Sequence, residues 1–404
     1  MPSSDTAFDV AAFRAGFPSL ESGIAHFDNP GGTQTPRVVG DAIARTLTGP
    51  LSQRGSALVS QRNAEDAVAG FRSAVADLVG GDPGGVVHGR SATALTYDVS
   101  RTLARTWSPG DEIVLCELDH DSNVRPWIQA AERAGVTVRW IEIDAGTTEL
   151  DLASYERALS SRTRLVAVTA ASNVLGTKPP LRRIADLAHE AGALVYVDGV
   201  HYAAHALVDV PALGADLFVC SPYKFLGPHC GVLAAAPELL ETLRPDKLLP
   251  STDAVPERFE FGTLPYETLA GATAAVDFLA ALDPAAEGTR RERLAHSLAS
   301  LHEHETVLRA QLEEGLRALG DAVTVHAKAA DRTPTLLMTL EGRDARAAQA
   351  HLAARDVVAP AGSFYAYEPF TALKLSDPAL RVGLAPYNTA QEVDRFLEGL
   401  ASFL

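Results

Sequence analysis

"LFVCSPYKFLGPHCGVLAA" occupies Leu217–Ala235, and the position of its one lysine is the key to how the chain folds. Four apolar residues read as a buried strand that stops at Ser221. Lys224 follows in a loop that also holds Gly227, Pro228 and Gly231. Most lysines are solvated surface residues, so one at the mouth of a buried strand needs a reason. "ADLFVCS" is the last of five apolar runs, after "DEIVLCEL", "GVTVRWIEI", "TRLVAVTAA" and "GALVYVDGV". The amphipathic stretches "SNVRPWIQAAERAG" and "PPLRRIADLAHEAG" lie between runs, and each ends at a glycine able to take φ > 0. This alternation predicts an α/β fold, a mainly parallel sheet with helices on both faces. Ligands of such sheets bind beyond the carboxyl ends of the strands.

From about Gly288 the pattern changes. "TRRERLAHSLASLHEHETVLRAQLEEGLRALG" predicts a long helix, followed by strands at "AVTVHAK" and "TPTLLMTLEG" and helices at "DARAAQAHLAARD" and "NTAQEVDRFLEGLASFL". A larger unit over 22–285 and a smaller α/β unit over 286–404 are expected, with residues 1–21 packing on the smaller one. The 404 residues, 47% hydrophobic with mean hydropathy +0.03, suffice for both cores.

A net charge of −16 and a pI of about 5.2 argue against nucleic acid or an anionic membrane as partner. No apolar run approaches the roughly 18 residues needed to span a bilayer. The N-terminus lacks the basic segment and apolar core of a signal peptide. Cys116, Cys220 and Cys230 form no CxxC and no zinc-like spacing. A cytoplasmic location without a bound metal is the expectation.

Polar residues gather where the predicted strands stop: Asp119–Asn123, Ser172-Asn173, Asp198 with His201, and Ser221 with Lys224. Upstream, Ser91-Ala92-Thr93 opens a helix whose free N–H groups and dipole suit a phosphate. Each feature has an ordinary reading, as a helix cap, a turn former or a satisfied polar residue. Their order is more telling. A phosphate cradle, then His, Asn, Asp and Lys, each at a strand end, make up a site for pyridoxal phosphate. The lysine amine forms a Schiff base, a carboxylate keeps the pyridine nitrogen protonated, and a flat side chain stacks on the ring.

These residues resemble the class V aminotransferase-like enzymes of fold-type I, and within them the cysteine desulfurase and selenocysteine lyase group. The resemblance runs from about His26 to the C-terminus. It rests on "HFDNPGGTQTP", "SATALTY", "LDHDSNVRPW", "SNVLGT", "VDGVHYAAH", "CSPYKFLGPHCG", "RFEFGT" and "LRVGLAPYNTAQEVDRFL". It implies a pyridoxal-phosphate enzyme acting on an amino acid. Lys224 would carry the cofactor, Asp198 pair with the pyridine nitrogen and His120 stack on the ring. Asn173 and His201 would lie near the ring hydroxyl, and backbone at Ala92 with Thr93 and Ser221 would hold the phosphate. Tyr223 stands where many relatives have a phosphate-binding histidine. Thr263 would reach the phosphate of a neighbouring subunit, which implies a homodimer. Arg381 would grip the substrate carboxylate, with Asn29 and Asn173 also at the substrate.

The pattern departs from the desulfurases in two places that bear on persulfide chemistry. Their nucleophilic cysteine sits on a loop shortly before the arginine. Here that region reads "VVAPAGSFYAYEPFTALKLSDPALRVG", without cysteine, and offers Gly362, Ser363, Tyr365 and Tyr367 as lining. In "QRGSALVS", Ser56 and Ala57 stand where a histidine is usual. The expected activity is β-elimination at a C–S or C–Se bond without a protein persulfide. An aminotransferase and an isopenicillin N epimerase-like racemase use the same residues, and a non-catalytic sulfur-trafficking protein retaining the fold is the alternative of another class.

Overall fold

In the computed structural model, residues 8–283, 286–375 and 378–404 are described. After the short β1 (Ala25–His26) come β2 (Val86–Gly89), β3 (Glu112–Cys116), β4 (Thr137–Ile141), β5 (Thr163–Thr169), β6 (Leu194–Asp198), β7 (Leu217–Cys220) and β8 (Gly231–Ala235). These last seven form one sheet in the order β2-β8-β7-β6-β5-β3-β4. Every pairing among β3 to β7 is parallel, and β8 runs antiparallel to both its neighbours. The carboxyl ends of β2, β3, β5, β6 and β7 therefore share one edge. Helices cover both faces, which is why β3 and β7 are buried at every residue and carry no polar alternation.

The five apolar runs all become strands, and both amphipathic stretches become helices, Arg125–Ala134 and Leu181–Glu190. The glycines after them, Gly135 and Gly192, have φ of 69° and 80°. Two strands of this sheet were not anticipated: β2 and β8 are four and five residues long and flank turn-rich segments.

Beyond the sheet, β9 (Val323–Val325), β10 (Thr335–Leu340), β11 (Val357–Val358), β12 (Ala361–Gly362) and β13 (Ala379–Gly383) build the smaller unit. Its sheet has the order β12-β13-β10-β9, while β11 pairs with β1. The helix Arg290–Ala318 links the two. A capping box starts it, the Thr289 hydroxyl accepting from Glu292 N–H while the Glu292 carboxylate accepts from Thr289 N–H. Its buried leucines recur at helical spacing: Leu294, Leu298 and Leu301 face the large core, and Leu308, Leu312 and Leu316 the small one.

The domain boundary expected at 285 adjoins residues 284 and 285, which lie outside the described residues, as do residues 1–7 of the N-terminal segment. The rest of that segment bridges the units. The rings of Phe13 and Phe17 pack on Phe278, Phe17 also touches Tyr387, and Arg14 pairs with Glu392 at 2.9 Å.

Candidate active site

The strand ends converge on a cavity. Its inner part is lined by Ser91, Ala92, Thr93, Asp198, His201 and Ser221. Lys224, His120, Asn173 and Tyr223 line both this part and an outer part of about 680 Å³, which Arg381 also lines.

Lys224 is buried, and its ammonium donates to the Pro30 carbonyl. Burial, reinforced by the nearby Arg381 charge, lowers its pKa to about 8. Asp198 closes β6. One carboxylate oxygen accepts from Val200 N–H at 2.9 Å, and burial pushes its pKa up to about 6. Such a carboxylate gains from a cationic or N–H partner, which a protonated pyridine supplies.

His120 follows β3. Its Nδ1 lies 2.8 Å from the Ser122 hydroxyl and accepts from Ser122 N–H at 3.1 Å. Burial first, then Lys224 and Arg381, lower its pKa to about 4, so the ring is neutral and suited to stacking. His201 is buried with Nε2 at 2.9 Å from Thr333 Oγ1 and 3.1 Å from Thr335 Oγ1. Tyr223 stacks on His229 with ring centroids 4.7 Å apart.

At the phosphate end, the Ser91 hydroxyl caps the helix Ala92–Ala104 by accepting from Ala94 N–H. Ala92 and Thr93 lie in the first turn, where backbone N–H groups have no acceptor within the helix. The turn sits directly on β8. A Cβ at Gly231 would lie 2.3 Å from the Ser91 carbonyl carbon and 2.6 Å from Ala92 N.

Arg381 is held by three groups: Nη2 bonds Asp28 Oδ1 at 2.5 Å, Nη1 donates to the Asn173 carbonyl at 3.2 Å, and the guanidinium lies 4.0 Å from the Phe364 ring. Its Nε and the Asn173 side-chain oxygen are buried with no partner among the described residues. Two such groups beside a lysine fit an amino-acid ligand that the chain itself does not supply.

Two residues named from the sequence lie elsewhere. Asn29 is buried one residue from Asp28, but its amide donates to the Gly383 carbonyl at 2.8 Å and to Asn388 Oδ1 at 3.1 Å, and accepts from the Tyr387 hydroxyl. Thr263 is exposed, its hydroxyl accepting from Gln53 Nε2 at 3.1 Å. Conversely, Asp28 and Phe364 were missed, although each is adjacent to a residue the motifs single out.

The loop after β12 closes the outer cavity. Asp121 N–H donates to the Tyr365 carbonyl at 2.7 Å, and the Asn173 amide to the Phe364 carbonyl at 3.0 Å. Phe364 and Tyr365 have φ of 56° and 54°. For bulky residues this left-handed backbone costs on the order of 1–3 kcal/mol each, and the anchoring contacts hold it. Ser363 and Tyr367 line an adjoining recess, whereas Gly362 belongs to β12.

The family model for class-V aminotransferases matches residues 25–396. The chain belongs to that family. It is 33% identical over 401 residues to an uncharacterised protein of Mycobacterium tuberculosis, an alignment covering 98% of this chain and 99% of the relative. A probable cysteine desulfurase of Pseudomonas aeruginosa is 31% identical over 96% of each chain. Among solved structures, the Escherichia coli cysteine desulfurase CsdA, as its S-sulfonic acid form, matches with a TM-score of 0.86 and 26% identity, over 98% of both chains. This class-V chain is therefore a pyridoxal-phosphate-dependent enzyme of cysteine desulfurase-like type. Among the described residues no helix is long and apolar enough to cross a membrane, and no cluster suited to a metal ion occurs.

Proposed function

We propose that this class-V enzyme is a carbon–sulfur or carbon–selenium lyase that acts on a cysteine-derived amino acid by β-elimination, with no persulfide on the protein. The position of the thiols carries this reading. Cys116 and Cys220 are 0% exposed and Cys230 3%. Burial raises all three pKa values, that of Cys230 to about 12. The thiolate is the nucleophile, and these thiols stay protonated at neutral pH. The loop over the cavity offers Ser363, Phe364 and Tyr365 instead.

Bound pyridoxal phosphate supplies the electron sink for charge left at Cα when its proton departs. The Ala92 and Thr93 N–H groups, with the Thr93 and Ser221 hydroxyls and Tyr223, would hold the phosphate. Asp198 would face the ring nitrogen, His120 cover one ring face, and Asn173 and His201 flank the ring oxygen. Arg381 receives the substrate carboxylate through its free Nε while Asp28 keeps Nη2 in place. Lys224 Nζ takes the α-proton, a task suited to an amine with a pKa near 8. The Cβ–S bond breaks with its electron pair leaving on sulfur, and with one water the products are pyruvate, ammonia and a thiol. A cytoplasmic homodimer, with Thr263 reaching across the interface, belongs to the same reading.

The test is product analysis on holoenzyme given S-substituted cysteines. Pyruvate and thiol should appear in equal amounts. The protein mass should gain no sulfur during turnover, and a variant with all three cysteines replaced by Ala or Ser should keep its activity. A 2-keto acid retaining the side chain would make the enzyme an aminotransferase, and inversion at Cα an epimerase. A persulfide on Cys230 would restore the desulfurase mechanism.

A further inference from the structure

The outer cavity is larger than a cysteine-sized substrate requires. The cofactor would take the part of the about 680 Å³ beside His120, Asn173, Tyr223 and Lys224. With the carboxylate at Arg381 and the amine beside Lys224, a small amino acid then leaves uncovered a wall that holds Phe364, Tyr365 and Tyr97 together with the polar Ser122 and Gln129. Phe364 lies against the Arg381 guanidinium, the Tyr365 ring stands 5.5 Å from His120, and Tyr97 and Pro126 line the same space. Tyr365 is 76% exposed, yet its backbone is fixed by the bond its carbonyl accepts from Asp121 N–H. Consecutive left-handed residues at 364 and 365 are unusual for aromatic side chains. Here they belong to the turn that carries both rings to the cavity.

Charges on this wall are already paired. Arg125 Nε meets Asp121 Oδ1 at 2.6 Å, its Nη2 meets Glu368, and its guanidinium lies 5.2 Å from the Tyr367 ring. The ion pairs satisfy one another, so an incoming group meets the aromatic faces of Tyr97, Phe364 and Tyr365 and the uncharged Ser122 and Gln129 rather than a free charge.

We propose that the substrate carries an aromatic or extended apolar group beyond Cβ, and that Tyr365, with Phe364 and Tyr97, selects for it. This rests on the lyase reading for the bond that breaks, but not for the binding. A ring seated against such a wall gains both apolar burial and ring–ring contact.

The experiment separates the two. Holoenzyme is titrated with L-homophenylalanine and L-2-aminobutyrate, which differ by one phenyl group and have no sulfur to expel, and binding is followed by the change in the visible cofactor band. Wild type should prefer homophenylalanine by about tenfold or more, equivalent to about 1.4 kcal/mol. The preference should fall toward parity in Tyr365→Ala and persist in Tyr365→Phe. In parallel, S-benzyl-L-cysteine and S-methyl-L-cysteine are compared by pyruvate release. A wild-type binding ratio near one, or a ratio that Tyr365→Ala leaves unchanged, overturns the inference. A retained preference with no pyruvate from either thioether supports the inference and overturns the lyase reading.

Discussion

Lys224 shows how position alone can prepare a side chain for chemistry. The residue is buried, and both its desolvation and the Arg381 charge disfavour the ammonium, which brings its pKa from 10.5 to about 8. A base whose folded pKa is depressed costs the folded state most below that pKa. The cost shrinks as pH rises from about 8 to 10.5 and is gone above. Apoenzyme should therefore gain stability across that window, and Lys224 should become reactive within it. When pyridoxal phosphate is added to apoenzyme, the rate at which the visible band grows should rise with a midpoint near pH 8. A midpoint near 10.5 would show that Lys224 is not desolvated, and Lys224→Ala should develop no band. At this scale the sequence was legible wherever a polar residue closes an apolar run, as Asp198 and Lys224 do. Asp28 and Phe364 were not, because their roles come from contacts with Arg381 more than 350 residues and 17 residues away in sequence, which no local pattern encodes.

Elements carry these residues to one edge only if they pack closely, and Gly231 marks the tightest approach. A methyl group there would meet backbone atoms of Ser91 and Ala92 at 2.3 and 2.6 Å, and backbone cannot rotate away as a side-chain tip can. Gly231→Ala should therefore push the helix Ala92–Ala104 off β8. A stability loss of about 1–3 kcal/mol is expected from the overpacking, together with weaker cofactor binding, since the first turn of that helix moves. Denaturant midpoints and a cofactor titration followed in the visible region check both. Wild-type cofactor affinity would mean that the turn is held by other contacts. The same region explains which elements were readable. Central strands such as β5 and β6 announce themselves as apolar runs, because both of their faces are covered. The edge strand β2 has two residues only half buried, and β8 follows a turn-rich loop and opens with a glycine, so neither gives a strong local signal.

At the scale of the whole molecule, several large apolar side chains have no cover among the described residues of one chain. Leu249 is 97% exposed, and its neighbour Leu248 and Phe261 are exposed as well. Phe261 stands two residues before Thr263 and lines a surface recess with Tyr97, which also reaches the active-site cavity. Uncovered apolar surface beside a functional site is where a second chain is expected to pack, and the proposed homodimer would bring Thr263 there. Sedimentation equilibrium at micromolar concentration should give about twice the 42.7 kDa of one chain. Replacing Leu249 and Phe261 together by glutamate puts charge where burial is expected, and should shift the protein toward monomer. If the phosphate site is completed across the interface, cofactor retention during gel filtration should fall in the same variant. Thr263→Val should weaken retention while the protein stays dimeric, because it removes a hydroxyl and no apolar area. A wild-type monomer that keeps its full complement of cofactor would refute the shared site, and with it any part for Thr263 in binding the phosphate.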